Sequence, residues 1–279
     1  MARTTIALAA LCGVLAGGLA MSLLDRPTGG MDEAQVRALV TDVLAQDTAQ
    51  PEPALAAETL NPMIESYLMG NPRILERVTA ELQTQVRNEA QERARTAIAS
   101  AQDALYNDPD HIVLGNPEGD VTLIEMFDYN CTYCRQALPT VATLLAEDPE
   151  LRIILKEFPI LSQESVDAAH IAVAVGRTDA DYWQFHESLF TARGQVTGQT
   201  AMDAARELGL NPVTLQLEAE SESVNAALRR SYDLAQELGI SGTPTFIIGD
   251  EIIPGAVGID QLRQRIANMR ACGKTVCEG

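Results

Sequence analysis

Residues 121–134 read V-T-L-I-E-M-F-D-Y-N-C-T-Y-C, and this stretch decides the fold. An apolar run rich in β-branched residues passes through a short turn into two cysteines, Cys131 and Cys134, with two residues between them. Beyond them Ala137, Leu138, Val141, Leu144 and Leu145 recur at helical spacing. The pattern predicts a strand, a turn, and a helix whose first turn carries C-x-x-C. A helix N-terminus collects unpaired N–H groups and the positive end of the helix dipole, which together stabilise a thiolate. The stretch is therefore expected to be a redox dithiol, with Cys131 as attacking thiol and the shielded Cys134 as resolving thiol. No cation lies between them, since residues 132 and 133 are Thr and Tyr. The helix terminus is left to lower the Cys131 pKa, and the couple is expected to be less oxidising than one with a basic residue there.

Moving outward, strand alternation puts Val121, Leu123, Glu125 and Phe127 on one face, so a carboxylate stands where an apolar side chain is expected. Glu125 is read as a buried acid of raised pKa that exchanges protons with Cys134. The segment 151–158, L-R-I-I-L-K-E-F, is a second buried strand closed by Pro159, and 121–158 forms a β-α-β unit. Helical patterning then fills about 162–238, with segments at 165–175, 182–191, 201–208 and 211–237. Thr245–Gly249 and Glu251–Pro254 read as a hairpin, and Ile259, Leu262, Ile266 and Met269 mark a last helix. With a short strand at 111–114, the fold class is α/β: a thioredoxin-like fold with a helical insertion, preceded by an α-helical N-terminal segment. Ahead of the hairpin, Ser241-Gly242-Thr243-Pro244 is a turn whose prolyl bond is open to either isomer.

The 279 residues carry 20 Lys+Arg against 39 Asp+Glu, a net charge of −19. Such a surface repels polyanions, so no nucleic-acid partner is expected. Residues 1–24 hold an uncharged run from Thr4 to Leu24, expected to be a signal peptide or an uncleaved signal-anchor. Ala20 offers a cleavage site, and Cys12 follows Leu11 too early for lipidation. The body of the protein is thus expected in the periplasm or another extracytoplasmic space, where disulfides persist, released if the signal is cleaved and tethered to the inner membrane if it is an anchor.

Residues 25–109 are expected to be a helical N-terminal segment. One helix begins at Asp32 with Val36, Leu39, Val40, Val43 and Leu44 on a face, a second runs from about Pro62 to Leu68, and a third from Pro72 to about Tyr106. Along the third, Ile74, Val78, Leu82, Val86, Ala90, Ala94 and Ile98 fall every four residues, a stripe that winds around the axis and is thin at its alanines. A short Val/Leu-faced helix is marginal alone, which favours homo-oligomerisation through this segment, with the third helix as connector or stalk. Residues 110–271 are the thioredoxin-like domain and 272–279 a tail. In that tail Cys272 and Cys277 are spaced to close a small loop, read as a structural disulfide rather than a second redox pair. His111, His170 and His186 are read as helix-face or surface residues rather than catalytic ones.

C-T-Y-C after a strand bearing Glu125, K-E-F-P-I-L at 156–161 before a helical insertion, and G-T-P-T-F at 242–246 resemble the DsbA-like thiol:disulfide oxidoreductases, over roughly 110–270. The resemblance implies Cys131 as nucleophile, Cys134 as its partner, Glu125 as the buried acid, a cis Pro244 beside Cys131, and Thr243 contacting substrate backbone; Tyr133 is a further candidate substrate contact. The N-terminal segment resembles that of the copper-sensitivity-suppressor type, whose members oligomerise through it and can act as isomerases. Two residues differ from DsbA itself: Thr132-Tyr133 stands for its Pro-His, and Thr243 for the valine before its proline. The implied function is thiol:disulfide exchange with unfolded or misfolded exported proteins, as isomerase or as oxidase, with a membrane redox partner. No metal and no cofactor beyond the redox-active disulfide is expected. A four-thiolate zinc or Cu(I) protein and an inactive envelope scaffold are the competing classes.

Overall fold

A computed structural model describes residues 33–47 and 57–277. The expected signal or anchor at 1–24 lies outside the described residues, among which no helix is long and apolar enough to cross a membrane. Two compact units divide the chain, Met1–Glu76 and Arg77–Gly279.

The first unit contains helices α1 (Glu33–Asp47) and α2 (Ala57–Gly70) and the first turn of α3 (Arg73–Ser100). Val36, Leu39, Val40, Met63, Ile64 and Tyr67 are all exposed, apolar side chains that no element among the described residues covers. The helix read as starting at Pro62 begins five residues earlier. Pro62 sits in its second turn, where it forfeits one backbone hydrogen bond without ending the helix.

In the second unit, five strands stand in the order β1-β3-β2-β4-β5. They are β1 (Ile112–Gly115), β2 (Val121–Phe127), β3 (Leu151–Glu157), β4 (Thr245–Ile248) and β5 (Glu251–Pro254). Only β2 and β3 pair in parallel, joined by the crossover helix α5 (Thr132–Glu147); the outer pairs are antiparallel. Both faces of the central strands are covered, so each reads as a near-continuous apolar run. Val121, Leu123, Phe127, Leu151 and Ile153 pack with α5 and with α11 (Ile259–Cys272). Ile124, Met126, Ile154 and Ile247 face the other layer, against Ile98 at the end of α3 and Leu105 in the short helix α4 (Gln102–Tyr106).

The single helix expected over 72–106 is broken at Ala101. Ile98 and Leu105, 2% and 0% exposed, lie seven residues apart on either side of the break and both face the sheet. In the insertion, α6 (Gln163–Gly176), α7 (Tyr182–Thr191) and α8 (Gly198–Glu207) follow the expected segments closely. The stretch 211–237 divides into α9 (Pro212–Ala219) and α10 (Glu222–Glu237), because the Ser221 hydroxyl accepts from Val224 N and starts a new helix. At the β4–β5 turn Gly249 has φ +53°, and any Cβ there would strike Met269 of α11. The turn thus seats directly on the last helix.

Candidate active site

The two cysteines sit where β2 gives way to α5. Cys131 is the N-cap of that helix, with extended backbone, and Cys134 lies one turn in. Both are free thiols, and Cys134 is the more deeply buried, at 1% exposure against 6%. The backbone sets the turn, Cys131 N donating to Asp128 O at 3.0 Å and Arg135 N to Cys131 O at 3.1 Å.

This asymmetry separates the two thiols electrostatically. The hydrogen bond from Cys134 leads the causes that bring the Cys131 thiol down to about 5, with the Thr243 side chain and the N–H groups of Tyr133 and Cys134 adding to it against the cost of burial. Cys134 moves the opposite way: burial, and its own bond to Cys131, hold it strongly protonated. At neutral pH the first is thus favoured as a thiolate and the second as a protonated thiol.

Across from them the Thr243–Pro244 peptide bond is cis, at the entry to β4. Cys131 Sγ lies 3.1 Å from Thr243 O, and the Thr243 hydroxyl is buried beside the same sulfur. Tyr133 is 62% exposed on the rim. Glu125 lies in β2 at 3% exposure, on the face that carries Leu123, Phe127 and the cysteines. Burial, and then the charge of Cys131, push its carboxyl up to about 8. Its charge in turn contributes to the raised Cys134 pKa, so acid and resolving thiol are coupled. Cys131, Cys134, Glu125, Thr243 and Pro244 thus converge in one place.

Cys272 and Cys277 do not join them. They are bonded to each other in a loop after α11, with Cα atoms 6.0 Å apart. That bond removes two of the four thiolates a zinc site would need, and among the described residues no cluster of potential metal ligands is found.

Sequence reasoning missed what holds the redox turn. Asp128 is fully buried, and its carboxylate accepts from Asn130 N (2.7 Å), Ser165 Oγ (2.8 Å), Ile160 N (2.9 Å) and Leu161 N (3.0 Å). Asn130 bridges further, giving Nδ2 to Val196 O at 2.8 Å and accepting from Val196 N. The D-Y-N tripeptide before the first cysteine signals an Asx turn, but not its partners in the insertion. Behind the turn a buried chain of hydrogen bonds links Glu157, Tyr182, Tyr129 and His186, the last kept neutral by burial, its pKa lowered to about 3.

The profile of the DSBA-like thioredoxin domain matches residues 122–267, more than half of the chain. This chain belongs to that family. A solved thioredoxin-like oxidoreductase of Silicibacter pomeroyi DSS-3 is 42% identical, covering 61% of this chain and 98% of that one, with a TM-score of 0.58. Proteus mirabilis ScsC, in a transitional conformation, is 30% identical over 75% of this chain and 94% of that one, with a TM-score of 0.56, and so reaches into the N-terminal helices. Among curated proteins, Disulfide bond formation protein D of Bacillus subtilis is 26% identical over 178 residues, 60% of this chain and 79% of that protein. The Na(+)/H(+) antiporter NhaA 1 of Salinispora arenicola is 28% identical over 163 residues, 58% of this chain. The match spans only 25% of that antiporter's length. The DSBA-like domain is a thiol-disulfide oxidoreductase of the DsbA/ScsC kind, and cysteine sulfur is its redox group.

Proposed function

We propose that the whole protein exchanges disulfides with exported proteins outside the cytoplasm, acting through Cys131 and Cys134 and serving as an isomerase when oligomeric. The opposed pKa shifts of the two thiols carry this reading, because thiol–disulfide exchange needs one thiolate for attack and one retained thiol for release. Reduced Cys131 attacks a substrate disulfide. Cys134 then resolves the mixed disulfide, unless a substrate thiol does so first and leaves the substrate rearranged.

Glu125 times the resolving step. Its pKa is raised partly by the Cys131 thiolate, and that charge vanishes once Cys131 is bound to substrate sulfur. The carboxyl then ionises more readily, at the moment Cys134 has a proton to give. Thr243, Pro244 and Tyr133 are assigned to the substrate chain, and Cys272–Cys277 to a structural role.

The exposed apolar residues of α1 and α2 support self-association through 25–109, with 110–271 as catalytic domain. Several dithiols brought together suit a misfolded client better than one does. The export signal or anchor, the periplasmic setting (one relative is described as a periplasmic thioredoxin-like protein) and a membrane redox partner belong to the same proposal. A second reading, net oxidase, draws support from the low Cys131 pKa, which stabilises the reduced enzyme and makes its disulfide a better oxidant.

Refolding of scrambled and of fully reduced ribonuclease separates these readings. Full-length protein is expected to rescue the scrambled form, and Leu39→Asp with Ile64→Asp to abolish that rescue while leaving oxidation of the reduced form intact. Equal rescue by the dissociated variant would separate isomerisation from self-association, oxidation of the reduced form without rescue of the scrambled one would favour the oxidase, and no exchange with either substrate would sink the proposal.

A further inference from the structure

Cys131 starts α5 without an ordinary cap. A neutral thiol is a weak acceptor, and Cys131 makes no side-chain cap bond to the free N–H groups of the helix. Once ionised, its sulfur draws on the Cys134 thiol, then on the Thr243 side chain and the N–H groups of Cys134 and Tyr133. All of these donors except Thr243 belong to the first turn of α5. The thiolate is therefore only as stable as the alignment of Cys131 with the helix that it begins.

The bonds that fix this alignment come from the residue before the sulfur and end in the insertion. Asn130 Nδ2 donates to Val196 O at 2.8 Å, and Asn130 Oδ1 accepts from Val196 N at 2.8 Å. Nδ2 also donates to Ser165 Oγ at 3.0 Å.

We propose that Asn130 is a positioning residue for thiol–disulfide exchange: through its amide the insertion holds Cys131 over the first turn of α5 and so sets the acidity of the attacking thiol. The inference rests on the proposed role of Cys131 and adds to it what keeps that thiol reactive. Three observations carry it. Val196 is fully buried and offers a carbonyl and an N–H together, a pair that a primary amide can satisfy from two separate atoms and a carboxylate cannot. Next, Asn130, Ser165 and Asp128 close a buried ring, because Asp128 Oδ1 accepts both from Ser165 Oγ at 2.8 Å and from Asn130 N at 2.7 Å. Finally, Arg135 Nη1 of α5 donates to Ala192 O at 2.8 Å, so the loop between α7 and α8 is bonded on both sides of Cys131. Removing the amide leaves the main chain of Val196 buried without these partners, and the loop must shift to find others. The turn that carries Cys131 shifts with it.

The test follows alkylation of reduced full-length protein by iodoacetamide against pH, read by mass spectrometry on the peptide that carries Cys131. The unaltered protein is expected to show an inflection at about 5. Asn130→Ala is expected to raise it by about one pH unit, a tenfold loss of thiolate on the acid side. A second readout is the equilibrium with glutathione, in which the enzyme dithiol and glutathione disulfide give the enzyme disulfide and two glutathione thiols. Asn130→Ala is expected to move it about tenfold toward the enzyme disulfide, roughly 30 mV, because the reduced form has lost thiolate stabilisation. Ser165→Ala opens the ring but keeps both bonds to Val196, and a change of about threefold is expected. Asn225→Ala is the control. It removes bonds to Ser221 O and His170 within the insertion, away from the dithiol, and should lower stability to urea while leaving inflection and equilibrium in place.

An unmoved inflection in folded Asn130→Ala would overturn the proposal. Should that variant not fold, an unmoved inflection in Ser165→Ala would overturn it instead. A shift in Asn225→Ala as large as that in Asn130→Ala would do the same, since any loosening of the insertion would then suffice. A Cys131 that neither alkylates nor exchanges with glutathione in the unaltered protein would strike the proposed function, and this inference with it.

Discussion

The two cysteine pairs sit at opposite ends of their helices, and that difference separates their chemistry. Cys131 caps the N-terminus of α5, where N–H groups and the positive dipole end favour a thiolate. Cys272 closes the C-terminus of α11, followed by Gly273 in the left-handed conformation, where carbonyls crowd and a thiolate is disfavoured. The first pair is therefore stabilised when reduced, the second when oxidised. The free thiols at 131 and 134 and the bonded pair at 272 and 277 follow that logic.

Substitution gives the largest contrast between the pairs. Cys131→Ser is expected to lower the rate of insulin reduction by at least about a thousandfold, whereas Cys272→Ser with Cys277→Ser leaves glutathione disulfide turnover within about twofold. Next comes the equilibrium. In graded glutathione buffers, alkylation and mass spectrometry should show the 131–134 pair reduced under conditions about a hundredfold less reducing, roughly 60 mV. Pairs that open together would break the comparison.

A third expectation concerns pH. Glu125 has a folded pKa of about 8, above its ordinary carboxylate value, so the native state binds more protons than the unfolded state from about pH 4.5 to 8. Its contribution to stability is present below that window and lost as pH rises through it. Cys131 has the opposite sign: lowered to about 5, it contributes stability above its ordinary thiol pKa that is lost as pH falls toward 5. In the reduced protein the two slopes oppose each other between about pH 5 and 8. Glu125→Gln should expose the thiolate slope, so that denaturant stability of the reduced form rises across this window, and should stabilise the protein at pH 7 by up to about 3 kcal/mol. The smallest effect is expected from opening the tail loop, a loss of about 2 kcal/mol on urea unfolding for the double serine variant.

Much of the site was legible because its signals are local. The C-x-x-C follows a β-branched run, the acid interrupts a strict alternation, and the proline precedes a strand. The central strands and the insertion were legible for the same reason, through apolar runs and Gly or Asn-Pro punctuation. What escaped the sequence depends on distant partners. Nothing in S-A-Q-D at 100–103 marks the break at Ala101, where the backbone turns to φ −92° and ψ 13°. Ser221 is one serine among several until Val224 N is found on its hydroxyl. Ala90 and Ala94 read as a weak packing stripe, and only the hairpin opposite them makes that stripe a groove wall.

Asp128 bears on how such a domain can be altered. Its carboxylate draws donors from the redox turn, from residues 160 and 161, and from Ser165 at the head of the insertion. A shortened chain trimmed to the bare strand-and-crossover core would leave that charge buried and undersupplied, at a cost of several kcal/mol. The aspartate and the insertion form a package: a graft that carries the dithiol turn into another scaffold must bring residues 160–165 with it, or give up the aspartate.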